Sequence, residues 1–282
     1  MTAAAVISLK AEHRLDVLLD VAGLPRSTFF YHQARLALPD PHAELKAAIR
    51  GVFDAAKKRY GYRRIHAQLR RDGWVVARKT VLKLMRQMGL KSKVRQPKFQ
   101  SFKGEVGKVA PNLLQRDFDA DGPNQKWVTD VTEFRIGETK VFLSPVLDLH
   151  ERKVVAYSRG AAPTLELTNS ALKAAVATLE PGQQPLIHSD QGFQYQHASW
   201  RKILEGKAQQ SMSRKGNCLD NAVMEGFFGH LKEEMFNHDE FDSVETFIAE
   251  LDDYMRWYNQ ERISTALGDL TPDEYRALAL TT

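Results

Sequence analysis

The sequence predicts a protein of the α/β class in which a basic, all-helical module precedes an acidic domain built on a mixed sheet. The first observation is the division of charge. Residues 41–108 contain 19 Lys and Arg against four Asp and Glu, 19 − 4 = +15, whereas residues 109–282 contain 17 against 27, 17 − 27 = −10. The second is the spacing of apolar residues, which is helical up to residue 90 and strand-like from residue 126. Strands that then alternate with helices predict a sheet covered by helices.

Chain length and composition exclude several protein classes. The 282 residues leave room for one domain with a full core and for a smaller one. A single cysteine, Cys218, excludes an intramolecular disulfide framework and a thiolate zinc cluster, and agrees with a reducing compartment. We expect neither a signal peptide nor a membrane span, because the first residues carry charges and no apolar run is long enough to cross a bilayer.

Residues 1–40 are predicted to form a small helical segment. Apolar residues recur with helical spacing over 12–22, Gly23 ends that run, and Pro25 opens a second one. Three consecutive aromatic residues at 29–31 are expected to be buried as the core of this helical pair. A helix-turn-helix that contacts DNA is the alternative, but the segment carries as many acidic as basic residues.

Residues 41–90 are predicted to form a helix-turn-helix-like module. A proline at position 41 follows a capping aspartate and opens one helix. Further helices are expected over 63–71 and 77–88, each followed by a glycine that ends it. The last helix has an apolar and a basic face. The apolar face consists of Val81, Met85 and Met88, and the basic face of Lys79, Lys83 and Arg86.

A helix that is apolar on one side and basic on the other suits DNA binding by a helix-turn-helix. The preceding helix adds Arg63 and Arg64 to the basic side chains. We therefore predict DNA contacts at Arg63, Arg64, Lys79, Lys83 and Arg86. The alternative is a solvated basic surface. Because lysines mostly contact phosphates, the pattern predicts affinity for DNA without base specificity.

Residues 91–124 are predicted to form a basic linker that contributes little to a core, and residues 125–282 to form the second domain. Strands are expected over 126–136, 140–149, 153–159, 185–188 and 208–212, and helices over 165–179, 198–204, 221–235 and 244–258. A capping box at 271–274 is expected to open a last short helix.

Three acidic residues in this second domain are candidates for a catalytic site. Asp130 lies within the first strand-like run, Asp190 directly follows a short buried strand, and Glu225 lies in a helix-like run, at an interval of 225 − 190 = 35 residues. Carboxylates that converge from different elements can hold two divalent cations about 3.5–4 Å apart and promote in-line attack on a phosphodiester. Lys232 lies two helical turns after Glu225, where it could contact a substrate phosphate. The alternatives are a loop or cap residue at Asp190 and a solvated helix face at Glu225 and Lys232.

The segments around these residues resemble the B-frame transposases of the insertion-sequence three family. Those bacterial mobile-element enzymes have a retroviral-integrase-type catalytic core of ribonuclease-H-like fold. The resemblance covers most of the chain, and its motifs are long. They are YGYRRIH at 60–66, APNLL at 110–114, WVTD at 127–130, HSDQG at 188–192, SMSRKGNC at 211–218, Asp-Asn-Ala at 220–222, FF at 227–228, LKE at 231–233 and WYN at 257–259.

The resemblance implies an integrase-type core with a mixed five-stranded sheet, and it assigns roles to single residues. The family's catalytic and metal-binding triad falls on Asp130, Asp190 and Glu225, and its downstream lysine on Lys232. The implied cofactor is Mg²⁺ or Mn²⁺, with two ions expected.

Three further points concern the surroundings of the triad. The basic turn at Arg214 and Lys215 is a further candidate for holding DNA near the metals. The sequence departs from the family pattern at Gly226, where a serine is commoner, and at Gln191, where an arginine is frequent. Neither departure removes a predicted metal ligand.

The resemblance also implies partners and a reaction. The enzyme would nick DNA at terminal inverted repeats and join the freed 3′-hydroxyl to target DNA, as a homo-multimer on double-stranded DNA in the bacterial cytoplasm, associated with the nucleoid. Fusion or association with an upstream-frame product is implied too. Two other classes stay open, namely a DNA-binding regulator with an inert core and a ribonuclease-H-type nuclease that cleaves RNA–DNA hybrids.

Overall fold

The structure, a computed structural model, describes residues 3–94, 110–214 and 221–281. The chain divides into two compact units, residues 1–52 and residues 53–282. The two helices that follow Gly61, which were predicted to contact DNA, belong to the larger unit together with the sheet.

The smaller unit consists of short helices. They are α1 (Ala3–Leu9), α2 (Leu15–Ala22), α3 (Arg26–Ala37) and most of α4 (Ala43–Ala55). Gly23 ends α2, as predicted, because its φ of 61° gives the left-handed cap that lets the last carbonyls be satisfied. The core of the first three helices is Val6, Leu18, Leu19 and Phe29.

Only one of the three consecutive aromatic residues of α3 enters that core. Phe29 is fully buried, whereas Phe30 is 46% and Tyr31 55% exposed. The prediction that all three are buried was therefore wrong. Successive residues of an α-helix point about 100° apart, so three neighbours cannot share one buried face.

Two helices of the larger unit confirm the prediction for the basic region. Helix α5 (Tyr62–Arg71) and helix α6 (Arg78–Gln87) lie within one residue of their expected bounds. Gly73 and Gly89 follow them in the left-handed region. Val81 and Met85 of α6 are buried. The basic side of α6, which consists of Lys79, Lys83 and Arg86, is exposed.

A mixed sheet forms the centre of the larger unit. Its strands are β1 (Lys126–Thr129), β2 (Thr132–Ile136), β3 (Thr139–Asp148), β4 (Val154–Gly160), β5 (Leu186–Ser189) and β6 (Gln209–Met212). Strand β3 pairs antiparallel with β1, β2 and β4, while β5 pairs parallel with both β1 and β6. This combination confirms a mixed integrase-type sheet.

Strands β1 and β2 are one row of the sheet with an interruption at Asp130 and Val131. Thr129 lies opposite Val146 and Thr132 opposite Leu143, so the chain advances three residues on both sides and the register is continuous. The sheet therefore has the five rows that were expected. The expectation of an unbroken strand over 126–136 was wrong, and Asp130 lies at the break rather than mid-strand.

The break has a physical cause on each side. The register places Pro145 of β3 opposite Asp130, and a proline has no N–H to donate to the ladder. On the other side, the Val131 N–H is taken by Oδ1 of Asp130 at 2.7 Å. A short acidic side chain that binds the neighbouring amide competes with the sheet for it.

Helices cover the sheet and complete the unit. They are α7 (Leu165–Val176), α8 (Phe193–Gln196), α9 (Ala198–Leu204), α10 (Ala222–Leu231), α11 (Val244–Gln260) and α12 (Pro272–Thr281), with a 3₁₀ turn at Thr265–Leu267. One core cluster joins Trp127 of β1 and Ile187 of β5 to Leu172 of α7 and Trp200 of α9. None of the described helices is both long and apolar enough to cross a bilayer.

The predicted helix over 221–235 changes type within its length. Helix α10 ends at Leu231, and a π-helical segment follows over Lys232–Phe236, in which the Asn237 N–H bonds to the Lys232 carbonyl at 2.7 Å. Leu231 and Met235 are both buried on the same side. Apolar residues four apart are compatible with both an α-helix and a π-helical turn, so the spacing could not predict the π-helical segment.

Part of the predicted linker packs on the sheet. The N–H groups of Leu113 and Leu114 donate to Oγ of Ser211 at 2.9 and 3.2 Å, and Leu114 is buried. These contacts place residues 110–114 beside strand β6. Residues 95–109 of the predicted linker lie outside the described residues.

The predicted capping box opens helix α12. The Thr271 N–H donates to Oε2 of Glu274 at 2.8 Å, and the Glu274 N–H donates to Oγ1 of Thr271 at 3.2 Å. Arg71 of α5 binds the same carboxylate at 2.7 Å, so this helix start also contacts the basic module.

We predict that Thr271→Ala lowers the free energy of unfolding by about 1 kcal/mol, because the helix loses a capping hydroxyl. Thr281→Ala at the exposed end of the same helix is the matched control and should change it by less than about 0.5 kcal/mol. Urea unfolding followed by circular dichroism measures both. Equal losses in the two variants would show that the cap is not a stabilising contact.

Candidate active site

The topology brings the ends of two strands together with the start of a helix. Asp130 directly follows β1 and Asp190 directly follows β5, and these strands are parallel neighbours. Their carboxyl ends therefore lie at the same edge of the sheet, which is where open α/β sheets place their sites. Glu225 lies in the first turn of α10. The predicted triad thus comes from three separate elements.

The surroundings of Asp130 disfavour its charged form. Burial, the charge of Asp190 and the charge of Glu225 together raise the pKa of Asp130 to about 7. Like charges at short range disfavour joint ionisation, and removal from water adds to the effect. Near neutral pH the cluster therefore shares fewer than three negative charges unless a cation compensates them.

Two hydrogen bonds orient the Asp130 carboxylate. Its Oδ1 accepts the Val131 N–H at 2.7 Å, and its Oδ2 accepts Nδ2 of Asn221 at 3.3 Å. Asn221 is 5% exposed and directly precedes α10. Among the residues that the structure describes, none donates to its buried Oδ1. An amide oxygen is thus left beside the carboxylates, and the resemblance had not given this residue a role.

The Asp190 carboxylate lies against Gly192. Its Oδ1 accepts the Gly192 N–H at 2.8 Å, which opposes the rise in pKa that burial causes at Asp190. A Cβ atom at Gly192 would lie 3.0 Å from Oδ1 of Asp190 and 2.8 Å from Oε1 of Gln194. A side chain at this position would therefore displace the carboxylate or the neighbouring amide. Glycine is required here for close approach rather than for an unusual φ.

Glu225 is the most open member of the triad. Burial raises its pKa, and the residue is half-buried. Its helix is anchored by Met224, Phe227 and Leu231, which are all buried. The neighbouring Gly226 is exposed, and no atom lies within 4 Å of the position a Cβ would take. Its departure from the family pattern therefore removes no contact.

Other polar residues of the sheet lie outside this cluster. Nδ1 of His188 and Oγ of Ser211 are 2.8 Å apart across β5 and β6, so this histidine links two strands. Asp148 ends β3, which runs antiparallel to β1, and therefore lies at the opposite edge of the sheet. It accepts the Asn124 N–H at 2.6 Å. Glu133 pairs with Lys140 at 3.0 Å on the exposed β2–β3 hairpin.

The donor set suits a hard divalent cation. Three carboxylates and the Asn221 amide oxygen are the kind of ligands that Mg²⁺ prefers, and a cation would compensate the charge that burial and the neighbouring acids disfavour at Asp130. As they stand, no three His, Cys, Asp or Glu side chains of the described ranges are close enough to hold a metal ion. The residues thus fit a metal by chemistry and location, while the carboxylates have yet to converge to ligand distances.

The predicted DNA contacts differ in their surroundings. Arg63, Lys79, Lys83 and Arg86 are exposed on α5 and α6, and Arg214 is exposed just after β6. Arg64 is instead half-buried, with Nη1 3.1 Å from Oε1 of Glu234.

Of the two lysines predicted near the triad, only Lys232 belongs to the described part of the chain. Nζ of Lys232 lies 5.5 Å from the centre of the Phe134 ring, and burial lowers the pKa of this lysine. Lys215 lies outside the described residues, as does Cys218.

Comparisons with known proteins agree with this architecture. Residues 41–98 match an HTH-like domain, and residues 120–218 and 225–280 match the integrase core domain. The chain is 46% identical over 269 residues to the putative transposase InsK for insertion sequence element IS150 of Escherichia coli (strain K12), with 95% of each chain covered. It is 35% identical over 233 residues to the transposase InsF for insertion sequence IS3A of the same organism, with 81% of each chain covered.

Among solved structures, a cryoEM structure of the simian T-cell lymphotropic virus intasome in complex with PP2A regulatory subunit B56 gamma matches with a TM-score of 0.48 and 16% identity, over 71% of this chain and 67% of that chain. The relatives and the matched domains together establish the family. The chain belongs to the transposases of the insertion-sequence three family, polynucleotidyl transferases with an integrase core.

Proposed function

We propose that this transposase nicks DNA at the ends of its own element and transfers the strand, with Asp130, Asp190 and Glu225 as its catalytic residues. The observation that carries the proposal is the topology, which places Asp130 and Asp190 directly after two parallel neighbouring strands at one edge of the sheet, with Glu225 in the first turn of α10. The raised pKa of Asp130 agrees with it, because carboxyl groups with perturbed pKa values are typical of functional centres. Two Mg²⁺ or Mn²⁺ ions bound there would supply Lewis-acid stabilisation of the entering and leaving oxygens.

Separate hydrogen-bond donors orient the proposed ligands. The Val131 N–H and the Asn221 amide fix the plane of the Asp130 carboxylate. The Gly192 N–H does the same for Asp190. Glu225 approaches from the open side on a separate helix, so it can complete the site when DNA is bound. This arrangement takes two of the proposed ligands from strand ends and the third from a helix.

The reaction has two steps of the same chemistry. In the first, a water oxygen bonds to the phosphorus at the element end, the bond from phosphorus to O3′ breaks, and a free 3′-hydroxyl is left. In the second, that 3′-hydroxyl attacks a target phosphodiester, so one bond to phosphorus forms as another breaks. Because both are in-line displacements at phosphorus, one set of carboxylates serves for both.

DNA is proposed to lie along the basic surface of α5 and α6 and to reach the triad past α10. Arg63, Lys79, Lys83 and Arg86 are exposed for phosphate contact, and Lys232 lies on the helical segment that follows Glu225. Arg214, just beyond β6, is the proposed contact on the sheet side.

The assembly is proposed from the family. The active form would be a homo-multimer on the terminal inverted repeats and on target DNA, with fusion to or association with the upstream-frame product. Its place would be the bacterial cytoplasm, at the nucleoid. Size measurements on the protein bound to end DNA would test this assembly.

We predict that Asp130→Asn, Asp190→Asn and Glu225→Gln each abolish nicking and strand transfer while DNA affinity is kept. Each substitution preserves shape and removes one metal-binding charge. Glu138→Gln, which neutralises an exposed acid at the turn of the β2–β3 hairpin, is the control and should keep wild-type turnover. Gel assays with labelled element ends and Mg²⁺ measure cleavage. Near-normal turnover in any triad variant would remove that residue from the site.

The same assays separate the alternative functions. Cleavage confined to RNA–DNA hybrids would identify a ribonuclease-H-type nuclease. Binding of end DNA by the wild type without any cleavage would identify a regulator with an inert core.

We predict that the metal-free protein loses stability as the pH rises from about 4 to about 7. The ordinary pKa of an aspartate in an unfolded chain is about 4, and that of Asp130 is raised to about 7. The folded state therefore binds a proton more tightly than the unfolded state, and this contribution is full below pH 4 and lost through pH 7. Mn²⁺ should restore stability above pH 7 by binding the folded state.

Calorimetry with and without Mn²⁺ checks this prediction. Asp130→Asn should flatten the pH dependence in that window and shrink the rise in melting temperature that the metal causes. A full metal response in Asp130→Asn would count against the proposed metal site.

We predict that replacing Lys79, Lys83 and Arg86 together by glutamine weakens DNA binding in a salt-dependent way. Removing one phosphate contact should reduce the slope of log affinity against log salt by about 0.9. A second triple variant, Arg201, Lys202 and Lys207 to glutamine on and after α9, changes the net charge equally and should keep the slope. Fluorescence anisotropy over a salt series measures both. Equal reductions in the two variants would show that only net charge matters.

A further inference from the structure

A fully buried carboxylate follows the catalytic helix. Glu234 lies in the π-helical segment after α10 and is 0% exposed. Arg262 binds it through Nε to Oε2 at 2.8 Å and through Nη2 to Oε1 at 2.9 Å. The Tyr254 hydroxyl donates to Oε2 at 2.9 Å, and Nη1 of Arg64 donates to Oε1 at 3.1 Å. We call Glu234, Arg64, Arg262, Tyr254 and Arg59 the Glu234 cluster.

Arg59 completes the cluster from the chain just before α5. Its Nε donates to the backbone carbonyl of Glu234 at 2.9 Å. Its guanidinium lies 4.5 Å from the ring centre of Trp257 and 5.3 Å from that of Tyr254. Cations over aromatic faces are attracted by the ring electrons, more so away from water. The π-helical segment is therefore held at its side chain and at its backbone by arginines from the basic module.

The charges of the Glu234 cluster are fixed near neutral pH. Burial alone would raise the pKa of Glu234, but Arg262 and Arg64 outweigh it and lower that pKa to about 2. Loss of one partner from a buried charge pair leaves the other uncompensated, which is strongly unfavourable. Displacement of any member of the cluster is therefore resisted.

The Glu234 cluster joins parts of the chain that are far apart in sequence. Arg64 and Glu234 are separated by 170 residues. A second buried link is made by Tyr60, whose hydroxyl donates to the Glu261 carbonyl at 3.0 Å and accepts the Ile263 N–H at 2.9 Å. Ion pairs nearer the surface also join this module to the core, namely Lys57 with Glu250 and Asp253, Arg71 with Glu274, and Lys93 with Asp239. Exposed ion pairs contribute little to rigidity.

We infer that Glu234 and Arg64 are positioning residues, which couple helix α5 to the helix that carries Glu225 and so hold DNA bound on α5 and α6 at a set place relative to the catalytic carboxylates. The inference rests on the proposed function for its consequence in catalysis. The link itself rests on the buried contacts.

The structure distinguishes a positioning role from direct DNA contact at two neighbouring arginines. Arg63 and Arg64 are neighbours on α5, and successive helical residues point about 100° apart. Arg63 is exposed, whereas the Arg64 guanidinium is committed to Glu234. If Arg64 turned toward a phosphate, Oε1 of Glu234 would keep only its bond to Arg262. The two arginines should therefore fail in different ways when they are replaced.

The π-helical turn explains how the coupling can reach Glu225. The segment Lys232–Phe236 continues directly from α10, whose first turn carries Glu225. Single π-helical turns inside helices are frequent at functional sites. Fixing Glu234 therefore fixes the end of the helix that carries the third carboxylate.

The test compares Arg64→Met with Arg63→Met in the full chain. For Arg64→Met we expect DNA affinity within about twofold of wild type and an unchanged salt slope, because every phosphate contact is kept. Its single-turnover nicking rate at saturating DNA should fall at least about tenfold, since small misplacements of reacting groups cost up to about a hundredfold. Arg63→Met should instead weaken binding and lower the salt slope by about 0.9, because a phosphate contact is lost.

A second measurement needs no DNA. In Arg64→Met, hydrogen–deuterium exchange should be faster both in α5 and across residues 225–237, while β1 and β5 keep wild-type exchange. Arg64→Lys keeps a cation at the site and should recover part of the rate and of the protection. Glu234→Gln should show the same pattern if it folds. If it does not fold, Arg64→Met still tests the inference, because the Arg64 side chain is only half-buried.

Two results would overturn the inference. One is a reduction of DNA affinity and salt slope in Arg64→Met equal to that in Arg63→Met, which would make Arg64 a phosphate contact. The other is faster exchange confined to α5, which would show that the cluster does not couple the helices. If wild-type protein neither binds nor cuts end DNA, the proposed function fails instead, and the exchange experiment alone decides whether the link exists.

Discussion

The proposed active site depends on one interruption in the hydrogen-bond ladder of the sheet. Because Pro145 cannot donate toward the row formed by β1 and β2, the chain opposite it is released at Asp130. The aspartate then uses its own side chain to hold the next amide. A carboxylate that would be costly in an unbroken strand becomes available at the edge where β5 also ends. The second ligand, Asp190, reaches the same edge because β5 is parallel to β1.

The remaining parts of the site adapt to that edge. Gly192 allows the Asp190 carboxylate to turn back onto its own loop, and Asn221 brings an amide to Asp130 from the start of α10. Glu225 is the only triad member on a helix, and its helix is held at the far end by a buried carboxylate and two arginines. Two strand ends and a helix with one anchored end thus supply the three proposed ligands.

Most of the elements could be predicted from the sequence, because they depend on local patterns. Periodic apolar residues located α5 and α6. The motifs around Asp130, Asp190 and Glu225 predict the catalytic carboxylates, and the structure places the first two at one edge of the sheet. Pro145 was a readable sign of the strand break, since proline in a central strand signals a missing ladder bond. The roles of Asn221 and Glu234 could not be predicted. Their partners lie 91 and 170 residues away, and the apolar spacing around Glu234 is the same in an α-helix and in a π-helical turn.

The long sequence separation within the Glu234 cluster has a consequence for synthesis of the chain. Arg64 must wait until Glu234 and Arg262 have been made before it can dock. At the usual 5–20 residues per second, roughly 200 further residues take about 10–40 s. During that interval the basic helices have been translated without the core that restrains them, and contacts this distant in sequence close slowly. Each new molecule thus passes through a period in which the helices proposed to bind DNA exist before the core proposed to cut it.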